Sequence, residues 1–267
     1  MMEGSGVVLE GESDHFGGVT VMPSSIPDVT PDRFEILLRD SLHKWQSQST
    51  RGIWIGIPIQ KSEFIPLLVK SGFVFHHAKP DYVMMNQWLP KEEPNKLPMA
   101  PFTSVGVGGF VLNQKNELLV VKEKFFKNSM WKLPGGMADP GEDIPTTAVR
   151  EVVEETGIKT EFQSVICVKH NHHGLHDTSN LYFIVRLKPL TEEIHMEASE
   201  IAECKWMPIE EFLVNPTLTV FLKELVTHAY SNTNQYKSKE MTYIDVEAWH
   251  KKWTDKLYFT DPNNKNF

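Results

Sequence analysis

Cysteine is nearly missing from this chain: Cys167 and Cys204 are the only two in 267 residues. That excludes a disulfide-stapled scaffold. The pair reads as two small buried apolar residues. Long apolar runs are also missing, and no stretch approaches the roughly 20 residues that a bilayer-spanning helix needs. Positive charge is in deficit, with 27 Lys and Arg against 35 Asp and Glu for a net −8. General nucleic-acid binding is therefore not expected, because non-specific affinity for phosphates comes from clustered cations. The opening stretch MMEGSGVVLEGESDHF is acidic rather than Arg-rich. No export or organelle signal is visible there, and a cytoplasmic protein, or a nuclear one, is expected with no membrane partner. No repeat at solenoid periods occurs.

The rest is ordinary globular material, 40% apolar and 23% charged, with enough length for one or two domains. The helical spacing of Phe34, Leu37, Leu38, Leu42 and Trp45 predicts an amphipathic helix. GIWIGIPI at 52–59, FVFHHA and YVMMNQWL predict strands, with a second helix in SEFIPLLVKSG. Then PKEEPNKLPMAP, residues 90–101, carries four prolines and no periodicity, which marks a linker. Three segments follow: an N-terminal α/β domain over 1–95, a second domain over 101–230 and a C-terminal extension over 231–267. The second domain reads as strands around one central helix, with another helix near 216–230. In the extension, Tyr243, Trp249, Trp253 and Tyr258 are spaced to line a helical face, packed on the body or on a partner.

The chemistry is concentrated in residues 136–158, GMADPGEDIPTTAVREVVEETGI. Asp143 or Ile144 caps a helix there, Pro145 suits its first turn, and Gly157 sits where a left-handed stop is wanted. At about 100° per residue, Glu151 and Glu155 are neighbours and Glu154 flanks them, while Val149, Val152 and Val153 turn away. Crowded carboxylates repel, so some take up protons near neutral pH unless a cation intervenes. Oxygen donors with no His or Cys among them favour Mg²⁺ or Mn²⁺ over Zn²⁺. Arg150 stands within reach of Glu154 and Glu142 and reads as an orienting partner. Gly135 and Gly136 let the backbone pass close to a metal. An E-x-x-E-E run by itself is as readily a solvated helix edge. The Gly-Gly turn, the valines and the spacing together decide for a metal site.

Those residues fit G-x5-E-x7-R-E-U-x-E-E-x-G-U, where U is a bulky aliphatic, without a mismatch. The pattern resembles the signature of the Nudix hydrolases, which use divalent cations to cleave nucleoside diphosphates linked to another moiety. The resemblance implies a mixed-sheet α/β/α sandwich, a small-molecule nucleotide substrate, and metal ligands at Glu151, Glu154, Glu155 and the Gly135 carbonyl. It also places catalysis on those glutamates, one of which orients or deprotonates water. Phrases outside the box, among them LEGESDHFGGVTV, RGIWIGIPI, FFKNSMWKLPGG and ECKWMPIEEF, are similar to a two-domain Nudix subfamily. Its members include plant enzymes acting on ADP-ribose and NADH, and an animal protein encoded antisense to a basic fibroblast growth factor gene. In that subfamily the N-terminal unit is similar in fold to part of an acetyltransferase. No R/Q-x-x-G-x-G/A loop is present here, so homodimerisation or a substrate wall is the role it implies.

Several readings stay open. Glu200 is either an outside-box carboxylate that orients water or a plain surface charge. His172 and His173, with His176, either reach the substrate or sit in a solvated loop. His76 and His77 lack the thiolate partners of a zinc site. The proline that ADP-ribose enzymes carry past the box is replaced by HNHHGLHDTSN, and the NADH string SQPWPFPxS is absent. Substrate choice therefore rests on subfamily likeness. The alternatives are hydrolysis of an RNA cap or a CoA-type pyrophosphate, and a catalytically weak regulatory protein on the same fold.

Overall fold

The computed structural model describes residues 8–125, 130–172, 175–216, 218–231, 240–247 and 254–260. It divides into two compact units, Met1–Pro101 and Phe102–Phe267. Among the described residues no helix is long and apolar enough to cross a membrane.

The first unit holds β1 (Glu12–Ser13), β2 (Val19–Val21), α1 (Pro31–Ser47), β3 (Gly52–Pro58), α2 (Ile65–Lys70), β4 (Val74–Lys79) and β5 (Tyr82–Trp88). Its sheet runs β1-β2-β3-β5-β4, with β2 and β3 parallel and the other pairs antiparallel. Thr30 caps α1 by accepting a hydrogen bond from the Arg33 N–H, and Pro31 opens the helix. Phe34, Leu37, Leu38 and Trp45 are buried as their spacing requires, and Phe34 stacks on Phe64 at 4.1 Å. Ser41 joins that buried face because its hydroxyl is satisfied: it donates to the Leu37 carbonyl and accepts from the Leu9 N–H. The helix expected in SEFIPLLVKSG shortens to α2. Its first three residues belong instead to a tighter turn, Ile59–Phe64, broken by the non-helical Lys61. From Leu89 to Phe102 the backbone forms no helix or strand, and most of it is exposed. Limited proteolysis is expected to cut first within residues 90–101; early cleavage inside 105–215 instead would contradict an accessible linker.

The second unit contains β6 (Thr103–Val111), β7 (Glu117–Glu123), α3 (Ile144–Thr156), β8 (Thr160–Asn171), β9 (Ser179–Pro189), β10 (Ile201–Pro208), α4 (Ile209–Leu213), α5 (Val220–Ser231), β11 (Met241–Glu247) and β12 (Thr254–Thr260). The main sheet is ordered β12-β11-β8-β9-β6, and β7 pairs with β10 in a second, two-stranded sheet. Only β6 and β9 run parallel, so the main sheet is mixed. Alternation along the strands makes two cores. Val107, Val111, Val185 and Leu187 pack with α3 residues Ala148 and Val152, while Phe110 and Ile184 face Leu225, Val226 and Ala229 of α5. Helices thus cover both faces, giving the α/β/α sandwich.

The C-terminal segment departs from expectation. Tyr243 and Tyr258 lie on β11 and β12, a hairpin added to the main sheet, rather than on one helical face. MTYIDVE and TDKLYFT are rich in β-branched and aromatic residues, and that preference overrides the coarse helical spacing. Trp249 and Trp253 lie outside the described residues. At the entry to β11, Glu240 is buried and accepts two hydrogen bonds from the Arg186 guanidinium, at 2.9 and 2.6 Å. Ser164 donates to the same carboxylate, and Arg186 also reaches the Ala229 carbonyl at 3.1 Å. This clamp fastens the hairpin to β8, β9 and α5.

Candidate active site

Helix α3 positions the box. Asp143 is its N-cap residue, though without a side-chain cap hydrogen bond, and Pro145 occupies the first turn. Gly157 ends it at φ 74°, with its N–H on the Val153 carbonyl. Ala148, Val152 and Glu155 follow one another along the buried stripe, so the last carboxylate is drawn beneath the helix and is only 8% exposed. Val153, expected on that stripe, is 37% exposed instead.

Gly135 is required by backbone contact, and Gly136 leaves room for the Glu151 carboxylate. Gly135 has φ 152°, and a Cβ there would lie 2.2 Å from the Val107 carbonyl oxygen. A Cβ on Gly136 would lie 2.6 Å from both Glu151 carboxylate oxygens. Only glycine lets the turn and the carboxylate meet. From the same turn the Gly135 N–H donates to Glu155 Oε2 at 2.9 Å.

Arg150 gathers the rest. Its guanidinium makes two 2.8 Å hydrogen bonds to Glu142, and its Nη1 reaches Glu151 and Glu154 at 2.9 Å each. Nη2 also touches the Met137 carbonyl at 3.1 Å. These bonds hold the Glu142 carboxyl down at about 2. Glu151 moves the other way, up, because burial outweighs its bond to Arg150. Burial pushes Glu155 up to about 7 against the opposing pull of Lys132 and the Gly135 N–H. Glu154 is half exposed and serves as the outer member. Among the described residues no three carboxylate, imidazole or thiolate groups form a ready-made cage. Arg150 explains this, since it draws Glu142, Glu151 and Glu154 onto itself.

The profile described as the NUDIX domain matches residues 102–229, and the one described as the Nudix hydrolase domain matches 9–89. Nudix hydrolase 2 of Arabidopsis thaliana is 41% identical over 217 residues, which cover 80% of this chain and 77% of that protein. The chain belongs to the Nudix hydrolase family. This Nudix hydrolase is also 44% identical over 214 residues to Nudix hydrolase 8 of the same plant, covering 79% of the chain but 58% of that longer relative. Human nucleoside diphosphate-linked moiety X motif 6 is 38% identical over 209 residues, covering 76% of the chain and 66% of that protein. Nudix proteins are pyrophosphohydrolases, and they generally need divalent metal ions.

The structure brings together Gly135, Gly136, Glu142, Arg150, Glu151, Glu154 and Glu155. Glu200 sits in a turn before β10, where its backbone carbonyl accepts from the Lys124 N–H at 2.8 Å. His172 is exposed, its ring 4.0 Å from that of His170, and His173 lies outside the described residues. His76 and His77 share a 2.7 Å Nδ1 to Nδ1 hydrogen bond in the first unit. Two charges escaped the sequence reading. Lys132 stands 3.7 Å from Glu155 and also binds Glu123, whose charge in turn bears on Glu155. Period two was the available signal for Lys132, which lies between the buried Trp131 and Leu133 and so points to the opposite side.

Arg150→Ala releases three carboxylates at once. It is expected to reduce turnover and lower the melting temperature of the metal-free protein, because Glu142 and Glu151 lose the charge that compensates them. An unchanged melting temperature would show that Arg150 does not hold the cluster.

Proposed function

We propose that this Nudix hydrolase cleaves the phosphoanhydride bond of nucleoside diphosphate-linked small molecules, with ADP-ribose and NADH as the preferred class. One observation carries the hydrolytic reading: Glu151 and Glu155, both biased toward protonation by burial, meet at a glycine turn beside Glu154. That is a set of hard anionic oxygens poised to be rescued by a dication. The substrate class is supported by likeness to the two-domain plant enzymes.

Glu151, Glu154, Glu155 and the Gly135 carbonyl would hold Mg²⁺ or Mn²⁺. A divalent cation bound there supplies Lewis acidity and a nucleophile at neutral pH. The protein's own part is positioning. Arg150 fixes the rotamers of Glu151 and Glu154, the Gly135 N–H fixes Glu155, and Lys132 adds positive charge beside it. A cluster carboxylate accepts the proton of the attacking water. The new P–O bond forms as the bridging P–O bond breaks, and ADP-ribose yields AMP and ribose 5-phosphate.

A product assay tests this reading, with ADP-ribose, NADH, dinucleoside polyphosphates, CoA and capped RNA each offered with Mg²⁺ or Mn²⁺. The expected result is metal-dependent release of two monophosphates, with ADP-ribose or NADH giving the highest kcat/KM. Preference for capped RNA or CoA would overturn the substrate class. No turnover of any substrate would favour a regulatory protein.

A further inference from the structure

The hairpin of β11 and β12 lies beyond the residues that the NUDIX domain profile matches, yet it reaches a cavity beside the box. The cavity, of about 940 Å³, is bounded by the loop 137–144, by Thr103 to Val105 of β6, by Leu181 and Phe183 of β9, and by Tyr258 of β12. It touches the carboxylate cluster directly, since Glu142 on its wall is the residue that Arg150 grips with two hydrogen bonds. Its chemistry is sorted by charge. Among the described residues that line it there is no Lys or Arg, whereas Asp139, Glu142 and Asp143 are present. The described wall thus offers a phosphate no cation and suits an uncharged group.

Tyr258 is held to its place there by other rings. Phe162 of β8 packs on Tyr243 at 5.3 Å, and Tyr243 packs on Tyr258 at 5.9 Å. Its hydroxyl is buried and has no hydrogen-bond partner among the described residues. A buried hydroxyl is normally satisfied, so this one is available to a ligand. Burial, together with the negative charge of Asp143, raises the hydroxyl above the usual tyrosine range, so it stays protonated and can donate.

We infer that Tyr258 is a specificity-determining residue: the cavity takes the nucleoside end of the substrate, its planar base against the Tyr258 ring and a base or ribose acceptor on the Tyr258 hydroxyl. The diphosphate then extends past Glu142 toward the glycine turn. This rests on the function proposed above, and it adds which end of the substrate is read, and by a segment outside the matched domain. Aromatic rings are suited to such a role because every base presents a stacking face.

Three proteins test it: the full chain, Tyr258→Phe, which keeps the ring, and Tyr258→Ala, which removes it. Equilibrium binding of AMP, ADP-ribose and inorganic pyrophosphate is measured by calorimetry, alongside kcat and KM for ADP-ribose. Tyr258→Ala is expected to weaken AMP and ADP-ribose about tenfold and Tyr258→Phe about threefold, with pyrophosphate unaffected and the kinetic effect falling on KM. The inference is overturned if Tyr258→Ala binds AMP and ADP-ribose like the parent, if pyrophosphate weakens equally, or if the parent binds neither nucleotide. Loss of nucleotide affinity in Tyr258→Ala without any hydrolysis by the parent would sustain the subsite and sink the hydrolytic reading. Hydrolysis by the parent that is indifferent to Tyr258 would do the reverse.

Discussion

Glu155→Gln is expected to lower Mg²⁺-dependent turnover on the order of 10²-fold or more while making the metal-free protein more stable at pH 8. The two effects have one cause. Burial raises this carboxyl from 4.5 to about 7, so over that range the folded protein keeps a proton that the unfolded chain has released. Stability therefore falls as pH rises from about 4.5 to about 7, and above that range the full deficit remains. The shift corresponds to at most roughly 3 kcal/mol. Glutamine keeps the size and can still accept from the Gly135 N–H, but it carries no charge to bury. Thermal melts of both proteins in EDTA between pH 4 and 8 should show the variant's advantage vanish toward pH 4 and peak at pH 8. Near-parent turnover, or no stability gain at pH 8, would remove Glu155 from its assigned place.

A second large effect is expected far from the chemistry. Glu240→Ala leaves the Arg186 guanidinium buried without its counter-charge, and loss of one partner from such a pair costs about 3–5 kcal/mol. Replacing both, as Arg186→Met with Glu240→Leu, should recover much of that loss, since the desolvation of two charges is then avoided. Urea unfolding of the single and double variants checks it. A loss below about 1 kcal/mol in Glu240→Ala would mean that the pair does not anchor the hairpin. The clamp also bears on Tyr258, because Glu240 stands at the entry to β11, which pairs with β12.

The box was legible because its constraints are local. Helix periodicity fixes where Glu151, Glu154 and Glu155 point relative to one another, and Pro145 and Gly157 mark the ends of α3. Buried strands such as GIWIGIPI were legible from β-branched content. The tail was not, because its two strands are stabilised by pairing with each other and by a clamp to Arg186, which is 54 residues away in sequence. Lys132 and Glu123 were missed for a similar reason: β7 and the segment around Lys132 meet through a bridge that sequence does not announce. The glycine pair lay in between. Its presence was plain, but only the structure shows that Gly135 yields to the Val107 carbonyl and Gly136 to the Glu151 carboxylate.

If the carboxylates on α3 hold the divalent cation on which hydrolysis depends, removing them must abolish metal binding and turnover together. Mn²⁺ binding measured by electron paramagnetic resonance, with ADP-ribose turnover recorded in the same samples, tests it most directly. The comparison is between the parent and a variant carrying Glu151→Gln, Glu154→Gln and Glu155→Gln together. The parent should bind Mn²⁺ and turn over ADP-ribose, and the variant should lose both; wild-type Mn²⁺ affinity or wild-type turnover in the variant would contradict the account.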